Sequence, residues 1–524
     1  MKRIALTAAV AALALLATAA TARAAREVYV PDYQADAVFV LDAATGAQIG
    51  APIATGVDSS PYTLAISPDG NFVYATCEGD DAVCVIDTRT RTLVGSIPVG
   101  KSPFGIAITP DGSRAFVSNP GDKTVSAIDL ATRQTIGAPI PVGDNAYGVA
   151  ISPDGSRVFV PNSADDNMTV IDAKTLQVIG LPIPVGKNPY GLAITPDGSR
   201  VLVAVNDDKK LTVVDARTLQ VGTPIPVGDD PSGVTVSANG RTAYVGNYGS
   251  ESVSVIDLAT SQPVATITGT PEAEFIALTP NGQLGFVSEA LGVGGLNLSA
   301  NLFSGNLLKG AEGSGQLMTV PDQSPTAAFK LQGRARPGVP AAFDGSGSSD
   351  TDGTVGLYTW AFPTGASGTS DPKLRHAFAK PGKYEVTLTV TDNEGCSVAT
   401  VYTGQTASCS GNPAAAITQT VTVAFPGVKA KRCPKRADRG CRVVIQAVKW
   451  TGKGKKRRLV PQSAPAKAKL KAGAAKIVSL KPKKKSRGKL AQARKILVVE
   501  AYAALRAGAE PDISVRIVKL KVVR

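Results

Sequence analysis

Among 524 residues there is one histidine, His376, and no H-E-x-x-H, P-loop or strand-linked G-x-G-x-x-G segment. One imidazole cannot build a His-rich metal site. Read as a packed structural ring, His376 also removes Ser-His-Asp and Cys-His designs. Carboxylates are plentiful, but their spacing is that of turns. Asp69, Asp111, Asp154 and Asp197 sit inside Pro-Asp-Gly, and Asp42, Asp87, Asp129, Asp172, Asp215 and Asp257 each precede an Ala/Leu/Thr turn. Asp in such places accepts backbone N–H groups. Glu is rare in the repeats that contain these turns, where Glu78, Glu251, Glu272, Glu274 and Glu289 are scattered. Asp350 and Asp352 of Ser-Asp-Thr-Asp-Gly offer the hard oxygens that calcium prefers, but no twelfth-position Glu completes an EF-hand, and the stretch reads as a Gly/Asp turn. No catalytic residue, cofactor or metal is therefore assigned.

The six cysteines fall into three local pairs, Cys77 with Cys84, Cys396 with Cys409, and Cys433 with Cys441. Six cysteines allow 15 connectivities, and local pairing is the simplest. No pair has C-x-x-C spacing, which argues against zinc. Disulfides need an oxidising compartment, and the N-terminus supplies a route to one. Lys2 and Arg3 precede an apolar run from Ile4 to Ala20, and Ala22-Arg23-Ala24 is an A-x-A-type cleavage site. Residues 1–25 are thus expected to be a signal peptide, and no later segment is apolar enough to span a membrane.

The positioning elements follow from a repeat. Ser/Thr-Pro-Asp-Gly begins at Ser67, Thr109, Ser152 and Thr195, and recurs in altered form at Ser237 and Thr279. A period of about 42 residues marks a repeat architecture. Within one copy, Tyr190–Thr195, Val201–Val205, Leu211–Asp215 and Val221–Val227 read as four strands joined by tight turns. Such a blade exposes two apolar faces, so blades must stack, and a ring covers every face. Seven second strands can be counted, and the first copy lacks its own first strand, as expected if a C-terminal strand completes the ring. Seven blades fit; six closed by N-terminal strands is the alternative. Gln316–Val320 reads as a displaced third strand of the last copy.

Ile183-Pro-Val-Gly186, Pro189-Tyr-Gly191 and Pro196-Asp-Gly198, with Asn at the ends of second strands and Asp at the ends of third strands, resemble the YVTN family of β-propellers. The resemblance covers residues 26 to about 288. It implies relatives among surface or periplasmic proteins but no shared activity. In a propeller the second-strand ends gather near the channel mouth, which makes Asn119, Asn162, Asn206 and Asn247 the candidate ligand face, against loop capping as the plainer role.

Asp344-Gly-Ser346, Ser348-Ser-Asp350, Tyr358-Thr-Trp360, His376-Ala-Phe378 and Val386 to Asp392 resemble a PKD domain, an Ig-like β-sandwich with Trp360 as its core Trp. The family's W-D-F-G-D-G is replaced by Trp360-Ala-Phe-Pro-Thr-Gly365, which weakens any ligand carried over from that loop. Cys396 and Cys409 flank an insertion and are expected to staple its base. From Val428 to Arg524 there are 30 Lys+Arg against 4 Asp+Glu, so the rest of the chain is net acidic. Arg442–Trp450, Ala475–Leu480, Lys495–Ala501 and Ile513–Val523 are β-like runs within it.

The expected fold class is all-β: a propeller over 26–321, a PKD-like sandwich over 322–427 and a basic β-rich module over 428–524. The expected role is a non-catalytic, exported or cell-surface binding or scaffold protein. A protein or polysaccharide would be the ligand, and the basic end, with clusters at Lys453–Arg458 and Lys481–Lys489, would hold anionic wall polymers or glycans or else be a solvated basic face. Specific nucleic-acid binding is not expected. A propeller enzyme of lactonase or lyase type and a surface-layer or matrix component are the alternatives.

Overall fold

The computed structural model describes residues 27–289, 292–309, 315–363, 365–405 and 407–424, with backbone strands at 427–429, 441–451, 458–461, 466–470, 477–479, 495–504 and 512–521. The leader expected at 1–25 and the Cys433–Cys441 pair lie outside the residues whose side chains are described. The chain is all-β, and its contacts divide it into two units. One contains 1–326, 350–356 and 391–415; the other contains 327–349, 357–390 and 416–524.

In the first unit, the described residues of the repeats form six four-stranded antiparallel sheets and one, at 150–184, whose outer strand is split in two and which counts five. One of them runs Pro61–Ile66, Phe72–Cys77, Ala82–Asp87 and Thr92–Pro98. Its first three strands are almost wholly buried on both faces, whereas the fourth is exposed except for Ile97. That gradient explains the composition: strands near the centre touch neighbouring sheets on both sides and read as continuous apolar runs, and the rim strand does not. The core lies between sheets. Tyr74, Val83, Val85 and Ile97 of this one interlock with Ile106, Ile108, Val117 and Ile128 of the next. Truncating one such residue to Ala costs about 2–5 kcal/mol.

The innermost strands neighbour one another around a closed cycle. The cycle closes where Met318–Thr319 pairs with Glu27–Asp32, through Val28↔Thr319 and Tyr29↔Met318. A C-terminal strand does complete the first sheet. The segment Gln316–Val320 is therefore an innermost strand and not a displaced third strand; the third strand of the last copy is Gly292–Asn297. Crowding near the axis demands glycine. A Cβ on Gly105 would lie 2.2 Å from the Tyr147 carbonyl oxygen, and one on Gly191 2.2 Å from that of Ser232, each in the following sheet. At the opposite end of the sheets, Arg114, Arg157 and Arg200 each donate across to a carbonyl of the next sheet, of Ala173, Ala216 and Leu258, at 2.7 Å.

In the second unit, Lys330–Gln332, Pro340–Asp344 and Lys373–Ala377 form one sheet. A second contains Gly365–Thr369, Val355–Phe362, Gly382–Asp392 and Ala416–Val423. Trp360 is fully buried, with Phe329 and Phe343 rings 5.2 and 5.7 Å away. His376 stacks on Phe362 at 3.8 Å, and burial lowers its pKa, so it is a neutral packing ring. Beyond it, Cys441–Thr451 pairs with Ala466–Leu470 and Lys495–Ala504, which pairs with Asp512–Lys521. The β-like runs of the basic region are strands.

Candidate functional site: the two ends of the propeller channel

The turn carboxylates are occupied. In Pro-Asp-Gly, Asp111 accepts the Thr109 hydroxyl at 2.6 Å and the Ser113 N–H at 3.0 Å, while Gly112 has φ +68°. At the third-strand ends, Asp87, Asp129, Asp172, Asp215 and Asp257 accept the N–H of the Thr three residues on at 2.6–2.8 Å, which holds each carboxyl below its ordinary value. The asparagines expected at a ligand face are spent the same way. Asn119, Asn162 and Asn247 are 0% exposed. Asn162 donates to Asn167 and Thr169 and accepts Gly143 N–H, and Asn247 repeats the pattern with Ser252, Ser254 and Gly228. Asn119 donates to Thr124 and Ser126, so all three side chains are buried in hydrogen bonds of their own sheets, and Asn162 and Asn247 also hold a loop N–H. Asn206 is part-exposed and stands alone.

One end of the channel is filled by the insertion between Cys396 and Cys409, which are disulfide-bonded; Cys77 and Cys84 are bonded as well. The staple expected at the base of the insertion is present. Val401–Tyr402 and Ala407–Cys409 pair as a hairpin. Its tip offers three successive carbonyls, of Thr403, Gly404 and Gln405, to the amides of Ile194, Ile151 and Ile108 at 3.0, 2.6 and 3.1 Å. Those amides end three neighbouring innermost strands and have no partner strand on the channel side, so the hairpin satisfies groups that would otherwise need water. Tyr402 is buried in the inter-sheet core and donates its hydroxyl to the Gly404 carbonyl at 3.0 Å.

At the root of the hairpin lies a cluster that no single stretch of sequence announces. Asp322, just after the closing strand, is 1% exposed; Asp352 is 5% and Asp392 4%. Asp392 Oδ1 accepts the N–H groups of Glu394, Gly395 and Cys396 at 3.0, 2.7 and 2.7 Å. Asp352 Oδ2 accepts that of Gln323 at 2.9 Å. Both oxygens of Asp322 and of Asp350, with Asp352 Oδ1, Asp392 Oδ2 and Glu394 Oε2, are buried without a hydrogen-bond partner. Burial, and then the charges of Asp392, Asp352, Glu394 and Asp350, push the Asp322 carboxyl up to about 9. Asp352, Asp392 and Glu394 are raised for the same reasons. Carboxylates this close and this dry need protons or a cation. Ligand atoms of Asp322, Asp392 and Cys396 lie within 4.8 Å of one another, but the Cys396 sulfur is in a disulfide and is no thiolate donor. The donor set is oxygen alone, which fits a hard divalent cation such as calcium. Asp350–Asp352 was the one local signal of this cluster; Asp322, Asp392 and Glu394 arrive by tertiary folding.

The other end of the channel is where the innermost strands begin. The residue after Pro61, Pro103, Ala146 and Pro189 is Tyr62, Phe104, Tyr147 and Tyr190; Ser232 and Phe275 follow in the next two sheets. The five rings close a circuit: Tyr62–Phe104 4.6 Å, Phe104–Tyr147 4.9 Å, Tyr147–Tyr190 5.2 Å, Tyr190–Phe275 6.3 Å and Phe275–Tyr62 6.4 Å between centroids. Glu274 Oε1 accepts the hydroxyls of Tyr62 at 3.0 Å and Tyr190 at 3.4 Å. Burial raises its carboxyl to about 7, partly offset by these two hydrogen bonds. The repeats displayed these aromatics at a constant position, but Glu274 looked like one more scattered Glu.

Comparison with known proteins supports the architecture. Residues 105–279 match the model of the YNCE-like beta-propeller, and residues 322–406 that of the PKD domain. Collagenase ColA of Clostridium perfringens is 47% identical over 53 residues, which cover 10% of this chain and 5% of that protein. A microbial collagenase of Vibrio alginolyticus is 28% identical over 97 residues, covering 18% and 12%. The chain thus spans a small fraction of these relatives, and the likeness involves the PKD domain. A functionally unknown protein from Desulfotomaculum acetoxidans aligns in structure with a TM-score of 0.51 at 18% identity, over 56% of this chain and 98% of that one, a likeness of fold. The chain carries a YNCE-like β-propeller, as its YVTN-type repeats suggest, followed by a PKD domain.

Proposed function

We propose that this is an exported binding protein of the cell surface or medium, with the propeller as its recognition body. A propeller with a PKD domain fits a surface or binding protein. Two disulfides suit an oxidising compartment, and among the described residues no helix is long and apolar enough to cross a membrane. The observation that carries the reading is the asymmetry of the channel. One end is filled by a stapled hairpin; the other presents aromatic rings and a carboxylate that no ion pair among the described residues uses. The test is a screen of the full-length protein against glycans, cell-wall polymers and surface proteins, repeated with Tyr33→Ala and Tyr248→Ala, two exposed rim tyrosines. Capture that falls in the rim variants supports the reading; capture indifferent to them overturns it. The basic module is the proposed tether to anionic polymers, although its Lys453–Arg458 and Lys481–Lys489 side chains lie outside the described residues. Deleting 428–524 should release protein from cells at moderate salt, and unchanged fractionation removes the tether.

The carboxylate cluster supports calcium as a structural cofactor. Asp322, Asp350, Asp352, Asp392 and Glu394 would hold it, and its charge would offset their mutual repulsion. Calcium titration by calorimetry on chelator-treated protein tests this; no heat of binding at millimolar calcium would refute it.

A further inference from the structure

We propose that the mouth of the channel binds an alkylammonium group, the chemistry of a lysine side chain or a methylated amine, over the ring circuit of Tyr62, Phe104, Tyr147, Tyr190 and Phe275 beside Glu274. The inference rests on the mouth being the recognition face and names what it recognises. Aromatic faces carry negative quadrupole charge and attract cations within about 6 Å of a ring centroid. Here five rings form one circuit, and the hydroxyls of two of them meet one carboxylate. Two tyrosine hydroxyls orient Glu274, but neither neutralises it.

The surroundings deepen the negative potential. The loops that join second to third strands, and those that enter the next sheet, lie at this end, and acidic residues outnumber basic ones there. Three lysines of this rim are matched, Lys123 to Asp144 at 2.7 Å, Lys209 to Asp229 at 2.9 Å and Lys210 to Asp208 at 2.7 Å, which leaves Lys101 and Lys187 as exposed cations among the more numerous acids. Glu78 adds to the field at Tyr62, and Glu272 and Glu274 to that at Tyr248. Charge of one sign around a low-dielectric mouth focuses its field on an incoming cation. A neutral sugar would gain the ring faces and forgo the carboxylate; an anion would be repelled.

The test follows tyrosine fluorescence and calorimetric heat of the full-length protein titrated with tetramethylammonium and n-butylammonium, and with n-butanol and cellobiose as neutral counterparts. Both ammonium probes should bind, and butanol should bind at least tenfold more weakly than butylammonium. Glu274→Gln keeps shape and removes charge, and should weaken ammonium binding at least tenfold with the thermal melt retained. Tyr62→Phe and Tyr190→Phe keep the rings and should weaken it less, two- to fivefold. Equal binding of butanol, preference for cellobiose, unchanged affinity in Glu274→Gln, or no ammonium binding each overturns the proposal. Ammonium binding together with a polymer screen blind to Tyr33 and Tyr248 would sink the wider function and leave this site standing. A positive screen without ammonium binding would do the reverse.

Discussion

The two ends of one channel handle buried negative charge in opposite ways. At the mouth a single buried carboxylate, Glu274, is held by two tyrosine hydroxyls and is raised by burial to about 7. At the hairpin root five carboxylates crowd together, with seven oxygens lacking any partner. Two hydroxyls offset the cost of one buried charge in part; five carboxylates need protons or a cation. Burial is the first cause at both ends; at the hairpin root the charges of like neighbours add to it, whereas at the mouth two hydroxyls partly offset it.

Removing calcium should break that comparison most strongly. Differential scanning calorimetry of full-length protein in millimolar calcium and in excess chelator should differ by about 5–15 °C in Tm, as expected for a ligand worth about 3–4 kcal/mol bound far above its dissociation constant. Asp322→Asn with Asp392→Asn should abolish the difference, because both residues are among the most buried of the cluster.

Next in size comes the plug. Tyr402→Ala leaves a large void between sheets and unpairs the tip of the hairpin, and should cost about 3–5 kcal/mol in urea unfolding. Replacing both Cys396 and Cys409 with Ser frees the hairpin's base and should cost about 2–4 kcal/mol. A tip that stayed docked without its staple would show that the three carbonyl-to-amide bonds hold it alone.

A smaller effect probes the mouth. The Glu274 carboxyl is raised in the folded protein, so the folded state binds its proton more tightly than the unfolded chain does. Stability from this group is present at low pH and is lost as pH rises from the ordinary carboxylate range through about 7. Glu274→Gln should therefore flatten the pH dependence of Tm between pH 4.5 and 7 and raise stability at pH 7.5 by roughly 1–2 kcal/mol. No change in slope would mean that the mouth is wetter than its geometry indicates.

The smallest effect belongs to the turn carboxylates. Asp87, Asp129, Asp172, Asp215 and Asp257 are lowered by backbone N–H groups. Their stabilisation is present above the unfolded carboxyl value and is lost as pH falls through their lower folded values. Acid titration below pH 4 should show this loss, shallow per residue and cumulative over repeats. Asp172→Ala should shift the acid midpoint upward slightly, and Asp172→Asn less, because an amide oxygen can still accept the Thr175 N–H.

Turn chemistry was legible because it is local. Ser-Pro-Asp-Gly needs nothing beyond its own few residues to place Asp69, Asp154 and a positive-φ glycine, and the strands between turns follow from apolar runs. The same locality left two roles open at Asn119, Asn162 and Asn247. Their recurrence marked them as important, but recurrence does not distinguish a buried clamp from an exposed ligand. Gln316–Val320 was recognisable as a strand and misplaced within the ring, since a short apolar run carries no label of the partner it will pair with. Glu274 was visible as a residue and invisible as a site.

By itself the sequence determined the class of fold, the period of the sheets, the PKD-like sandwich around Trp360 and the local cysteine pairing at Cys77–Cys84 and Cys396–Cys409. Each depends on residues within a few turns of one another, where stereochemistry and hydrophobic pattern act directly. The tertiary structure alone decided that the stapled hairpin fills the end of the channel, that Asp322 meets Asp350, Asp352, Asp392 and Glu394, and that five aromatics from separate repeats close one circuit, two of whose hydroxyls meet a carboxylate. Those arrangements depend on closure of the ring, and closure brings together residues whose separation along the chain carries no trace of their proximity.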